Sequence, residues 1–288
     1  MSVAIVTDTT AYLPSSVVAD RCIKVVPLHV VIAGREFSEG VDVTTAEVAA
    51  ALRAFRPVST SRPSPSAFLA AYEAAAAEGA TEIVSIHISA DMSSTVESAH
   101  LAAQQSPVPV TVVDSRSLGM AMGYAVLAAA DAAAAGERAE SVAAQALARA
   151  AASTVVFYVD TLEHLRRGGR IGAASAFLGS ALAIKPILSL QDGRIRALEK
   201  VRTSARALTR LEELAVAAAR LATEQGDGVD IAVHHLDSAS RAEDLVRRLR
   251  ERVETAHEVC LVELGAVVGA HVGPGTLAVA VSPRPAPA

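Results

Sequence analysis

Residues 87–99 read HISADMSSTVESA, and within them Ser89, Ser93, Ser94 and Thr95 crowd hydroxyls into the turn that follows the apolar, β-prone run EIVSIHI at 82–88. Three other stretches share this character: TDTTAYLP (7–14), STSRPSPSAF (59–68) and DSRSLGMAMG (114–123). Ser, Thr and Asp are ordinary helix N-caps, so any one of these loops needs no ligand. Four of them, expected on one side of one sheet, point to a binding site beyond the carboxyl ends of the strands. Hydroxyls and free helix N–H groups suit an anion. Two further groups add to them. In LRRGGRIG (165–172), Arg166, Arg167, Gly168 and Gly169 read as a helix stop, which leaves Arg170 to face something anionic. In GAHVGPGTLAV (269–279), His271 precedes the turn Gly273-Pro274-Gly275 and is expected in a glycine-rich loop where backbone approaches a ligand closely.

Other chemistries find little support. No GxxxxGK[ST] loop occurs and no GxGxxG follows a strand, so nucleotide binding is weakly supported; HExxH and CxxC are absent, so metal is weaker still. His234-His235 read as a structural pair on a strand, one ring inward and one outward. Cys22 and Cys260 fall in strand-like segments and suggest two buried thiols in a reducing compartment. A net charge of −5 with no tryptophan argues against nucleic acid. The start, MSVAIVTDTT, lacks a basic region before its apolar run, and the apolar tract near 125–153 is interrupted by charge, so neither a signal peptide nor a spanning helix is expected.

The elements that must position these groups alternate. Strands are predicted at 3–7, 24–31, 82–88 and 109–113, and helices at 44–55, 65–78, 94–104, from 117 to Gly136, and 138–152. Ser64 and Pro65 form a helix start. The second half reads as strand 154–159, a short helix within 162–172, an apolar helical stretch 173–183 and two strands within 184–203 around Asp192-Gly193. Helix 204–223, strand 229–235, helix 239–252 and strands 258–264 and 276–282 follow. The fold class is α/β in two domains, 1–153 with a mainly parallel sheet and 154–282 with a mixed sheet and a hairpin; 283–288 is a proline-rich, disordered tail.

Taken in order, VTDTTAYLP, TSRPSPSAF, ISADMSSTVESA, VVDSRSLGMAMG, LEHLRRGGRIG, IKPIL…DGRIRALEKVRT and GAHVGPGTLAV resemble the DegV family of bacterial fatty-acid-binding proteins over nearly the whole chain. The resemblance implies two α/β domains with an acyl chain in a tunnel between them. It implies a cytoplasmic carrier with no cofactor that presents a long-chain fatty acid to the catalytic subunit of a separate fatty acid kinase, for phospholipid synthesis. By motif it places Thr60 and Ser61, Ser93 with Ser94, Arg170 and His271 at the carboxylate, and Lys200 and Arg202 at the kinase. The family's usual Gly after the serine is Ser94 here, and its usual aromatic two places on is Val96, which leaves local room. Arg206 and Arg210, beyond the kinase pair, read as a solvated helix start. Transient contact with a membrane stays open, as does oligomeric state.

On this reading the tail supplies affinity. About 14 methylenes at ~0.8 kcal/mol each give roughly 11 kcal/mol before ordering costs, against about 1.5–3 kcal/mol per hydrogen bond to a charged head. The tunnel is expected beside helices 117–135 and 173–183, whose small apolar residues leave space. Two other functions compete. One is a serine hydrolase with Ser93 as nucleophile, His271 as base and Asp8 or Asp114 as orienter, although no G-x-S-x-G elbow surrounds Ser93. The other is a sensor of a small polar metabolite using the same loops.

Overall fold

The computed structural model describes residues 2–177, 184–224 and 228–284. The first half runs β1 (Val3–Asp8), a 3-10 turn (Thr9–Ala11), α1 (Ser15–Asp20), β2 (Lys24–Val26), β3 (His29–Ile32), β4 (Arg35–Ser38), α2 (Thr45–Arg53) and β5 (Val58–Ser61). It continues through α3 (Pro65–Ala77), β6 (Glu82–His87), α4 (Thr95–Ala103), β7 (Val110–Asp114), α5 (Met120–Ala134) and α6 (Ala139–Ala152). Strands β2-β1-β6-β7 form an all-parallel sheet. Its strands are apolar and flanked by helices, as a sheet covered on both faces requires. The expected strand 24–31 breaks at Pro27, which has no N–H to give a ladder. Beyond the break β3 joins β4 and β5 in a separate antiparallel sheet, ordered β4-β3-β5. Loop 59–68 therefore leaves this small sheet, not the parallel one, and the four hydroxyl-rich loops do not share one sheet. Ser64 caps α3 by accepting from Ala67 N, with Pro65 at the first helical position, as predicted.

The second half runs β8 (Thr154–Tyr158), α7 (Glu163–Arg167), a 3-10 segment (Gly172–Phe177), β9 (Lys185–Gln191), β10 (Arg194–Val201), α8 (Ser204–Thr223), β11 (Val229–His235), α9 (Ala239–Arg252), β12 (Ala256–Glu263), α10 (Ala266–Val272) and β13 (Leu277–Pro283). Its six-stranded sheet is ordered β10-β9-β8-β13-β11-β12; only β11–β12 is parallel. The β9–β10 hairpin turns at Asp192 (φ 51°) and Gly193 (φ 79°), the left-handed pair expected of Asp-Gly. Of the predicted helical stretch 173–183, residues 178–183 lie outside the described residues. Residues 283 and 284 are not disordered as expected, because β13 includes Pro283 and Arg284 N donates to Gly228 O (3.0 Å); the rest of the expected tail, 285–288, lies outside the described residues.

Helices α5 and α6 lie between the two larger sheets: α5 packs on β1 and β13, and α6 on β6, β7 and β13. Most of α5 is buried, and one continuous core joins Ile5, Val84 and Ile86 to Phe157, Leu188 and Ala278. Alanine fills most of the buried positions of that layer, on α5 and on the inner face of α6, because little space is left there for side chains; the outer face of α6 is exposed. Strand β11 is buried throughout, so both His234 and His235 point into protein, against the expected alternation. Cys22 is exposed in a turn (φ 51°) rather than buried in a strand; Cys260 lies on β12, half-buried beside the Tyr124 hydroxyl. Among the described residues no helix is long and apolar enough to cross a membrane.

Candidate functional site

A cavity of about 320 Å³ opens where β5, the β6–α4 loop, the segment after α7, β10 and α10 converge. That volume is at the lower end for small-molecule sites. Thr60 and Ser61 reach it from the end of β5, where pairing with Val30 and His29 of β3 fixes their register. Ser93 and Ser94 come from a tight turn in which Met92 N and Ser93 N both donate to Ser89 O (2.9 and 3.0 Å). Ser94 is the N-cap of α4 but makes no side-chain capping bond. Arg170 follows the α7 stop, and His271 comes from α10. Thr60, Ser61, Ser93, Ser94, Arg170 and His271 all line this one cavity. The rest is largely apolar: Leu28, Ile88, Met92, Leu118, Leu165 and Ile195, with Val267, Val268 and Val272 of α10. Helix α5 lines none of it, and the space expected beside 117–135 is filled by the core; only Leu118, before the helix, contributes.

Polar contacts organise the wall. Thr60 Oγ1 and His271 Nε2 are 2.8 Å apart, and Ser93 Oγ and Thr95 Oγ1 are 2.8 Å apart. Arg170 donates from Nε to Met92 O (3.0 Å) and from Nη1 to Gly168 O (2.7 Å), tying α7 to the hydroxyl loop. Burial, and secondarily the Arg170 charge, pushes the His271 ring down to about 4, so the imidazole is neutral at pH 7. His271 sits on a helix, not in the expected glycine-rich loop. Gly168 serves this packing: a Cβ there would come 2.1 Å from His271 Nδ1.

Glu39, which no spacing in the sequence singles out, holds α10 in place. Its Oε1 accepts from Val267 N (2.9 Å) at the helix start, and its other oxygen takes the Thr9 hydroxyl. Burial raises its carboxyl above the ordinary range, with the Thr9 and Val267 bonds opposing. Arg62, which no motif singles out either, does line the cavity and pairs with Glu97 (3.0 Å).

A hydrolytic triad does not assemble around the cavity. The Ser93 hydroxyl bonds Thr95, His271 bonds Thr60 and its Nδ1 has no partner among the described residues, while Asp114 accepts from Ala90 N and Arg116 N. Asp8 turns instead to His87 (Oδ2 to Nδ1, 3.0 Å), whose Nε2 is 2.6 Å from Ser85 Oγ. That Ser85–His87–Asp8 chain has the order of a triad yet is wholly buried, and its Asp8 also accepts from Ile88 N and Thr10 N (both 3.0 Å). It locks the ends of β1 and β6 together.

The sequence and fold match known proteins along nearly the whole chain. The family described as "Uncharacterised protein, DegV family" matches residues 2–284. The chain belongs to the DegV family. A DegV domain-containing protein of Streptomyces coelicolor is 51% identical over 282 residues, covering 98% of this chain and 99% of that one. A solved DegV family protein from Thermus thermophilus, described by its fatty acid binding, superposes with a TM-score of 0.91 at 34% identity, over 99% of this chain and 100% of that one. DegV from Bacillus subtilis, described as a fatty acid binding protein, gives 0.88 at 29% identity, with 99% and 100% covered.

Within this DegV fold, Val96 is buried on α4 and is not among the cavity's described lining residues, so the room expected from it does not open there. Lys200 and Arg202 also stand away from the cavity. Lys200 Nζ lies 4.6 Å from the centre of the Phe177 ring, and Arg202 is exposed in a bend just past β10, so the two do not share a strand face. Arg210 is tied to Glu199 and Glu213 (both 2.8 Å) rather than free in solvent.

Proposed function

We propose that this chain binds a long-chain fatty acid and presents its carboxylate to a separate kinase. The tail lies among Leu118, Leu165, Ile195 and the valines of α10, and the head among Thr60, Ser61, Ser93, Ser94, Arg170 and His271. One observation carries the reading: those hydroxyl, imidazole and guanidinium groups share a single cavity with apolar walls. The fatty acid binding described for the Thermus thermophilus and Bacillus subtilis relatives supports it. Hydroxyl and neutral imidazole partners orient a carboxylate without the tight bidentate clamp that would draw charge from its attacking oxygen. In the transfer, a carboxylate oxygen bonds the γ-phosphorus of a nucleoside triphosphate on the kinase, and the bond from that phosphorus to the β-bridging oxygen breaks. A nucleoside diphosphate leaves, and no proton moves. The chain itself acts as carrier, in the cytoplasm, with its units divided at 153/154 and the ligand between them. Lys200 and Arg202 meet the kinase.

Native mass spectrometry of protein purified gently from a bacterial host tests the ligand: bound fatty acid is expected. Only ligand-free protein, with no uptake of added palmitate or oleate, sinks the proposal. For the partner surface, Arg202→Ala is expected to keep palmitate affinity yet slow phosphorylation by the cognate kinase, with an effect that shrinks at high salt. Equal losses in binding and turnover would remove Arg202 from that surface.

A further inference from the structure

A second cleft, of about 610 Å³, adjoins the acyl cavity and shares Thr60, Arg170 and His271 with it, so the bonded Thr60–His271 pair is a common wall. We propose that this cleft is a phosphoryl site, which receives the phosphate of the acyl phosphate formed on the bound acid; it rests on the carrier reading above. Its remaining polar side chains are Arg56, beyond α2, Ser59 of β5, and His164 and Arg167 of α7. Three guanidiniums face it, and no Asp or Glu is among its described lining residues. Arg56 and Arg170 have no carboxylate partner among the described residues. Arg167 donates to Glu163 (2.7 Å), but that carboxylate also takes Arg166 (2.8 Å), so the trio keeps a net positive charge.

The positive field registers on both imidazoles of the cleft. Burial first, and then Arg167, lowers His164, with Glu163 opposing; burial first, and then Arg170, lowers His271. Arg170 commits Nε and one Nη1 N–H to Met92 O and Gly168 O, which leaves three donors of its planar fork. A carboxylate carries one negative charge and is served by the hydroxyls. When its oxygen bonds the γ-phosphorus of the kinase's nucleoside triphosphate and the nucleoside diphosphate departs, the new phosphate adds charge beyond the Thr60–His271 wall. Guanidinium forks match phosphate oxygens in geometry and charge.

Three probes test this by calorimetry on the full chain: palmitate, a chain-matched β-ketophosphonate with a methylene in place of the anhydride oxygen, and inorganic phosphate. Arg56→Gln and the double variant Arg56→Gln/Arg167→Gln are expected to bind palmitate within about twofold of the wild type, which also shows that they fold. The double variant should bind the ketophosphonate about tenfold more weakly, with a shallower salt dependence. Equal losses for palmitate and ketophosphonate, or no loss for either, overturn the site and leave the carrier reading standing. Arginine-dependent binding of inorganic phosphate as tight as the ketophosphonate assigns the cleft to free phosphate and overturns the acyl-phosphate role. A wild type that takes up neither lipid overturns the carrier reading, and the site with it.

Discussion

Ser93 and Thr60 offer hydroxyls to a cavity whose walls are mostly aliphatic, so removing one hydroxyl deletes a hydrogen bond and leaves the apolar contacts in place. Ser93→Ala and Thr60→Val are therefore each expected to weaken palmitate by about tenfold, with unchanged thermal stability, while phosphorylation by the kinase falls further. Complete loss of lipid from either variant would show that the head, not the tail, carries affinity. Asp8 is a different case. It sits wholly buried with His87 Nδ1, Ile88 N, Thr10 N and the Thr10 hydroxyl converging on it, so Asp8→Ala leaves several buried donors unmatched. A loss of about 3–5 kcal/mol is expected from urea unfolding; less than 1 kcal/mol would mean that water replaces the carboxylate. Asp8 stood out in the sequence as part of TDTT, but its partner did not. The pairing depends on β1 lying beside β6 with Thr7 opposite Ile86, a register that no local spacing carries.

At the scale of elements, the β9–β10 hairpin holds the hydroxyl loop from the other half of the chain. Its tip takes Ser89 Oγ on Gly193 O (2.8 Å) and Arg116 Nη2 on Asp192 O (3.0 Å), Arg194 pairs with Asp91 (2.7 Å), and Ile195 enters the cavity. Gly193 has φ 79°, and a Cβ on it would lie 2.4 Å from Ser89 Oγ. Gly193→Ala is expected to cost about 1–3 kcal/mol in urea and to weaken palmitate, because Ser89 anchors the turn that carries Ser93. Arg194→Ala removes an exposed pair and should change stability by less than about 1 kcal/mol. The reverse ranking would make charge, not close packing, the latch. Asp192-Gly193 made this hairpin legible, since two left-handed residues between apolar runs have few other uses. Helix α10 was not legible: Gly273-Pro274-Gly275 reads as irregular backbone, yet only the turn after the helix is irregular, and the Glu39 bond at the helix start lies far away in sequence. The strands β4 and β5, REFS and VSTS, are short and polar, and exist because β3 gives them a partner.

Over the whole molecule, the two larger sheets are joined through the α5–α6 layer, and among the bonds from that layer to the second sheet is one at a histidine. His234 on β11 accepts from Met120 N at the start of α5 (3.0 Å), with Tyr12 nearby. Such a cap requires an unprotonated Nε2, and burial pushes the ring down to about 4, with the His235 neighbour adding and a bond to Ala278 opposing. His271, on α10, is likewise pushed down to about 4, by burial first and then by Arg170. In the unfolded chain both histidines titrate near 6.5. Between those values the unfolded chain binds more protons than the folded one, so stability is full above about pH 6.5, falls as pH drops towards 4, and levels below it. Because the core runs without a break from Ile5 to Ala278, the loss should appear as one cooperative transition moving to lower urea, not as the separate melting of one sheet. His234→Gln keeps an acceptor for Met120 N but cannot protonate, so it should flatten the slope between pH 6.5 and 4 while costing little at pH 8. Urea midpoints for both proteins across that range decide it: parallel pH profiles would remove His234 from the acid response, and two resolved transitions would break the single core into independent halves.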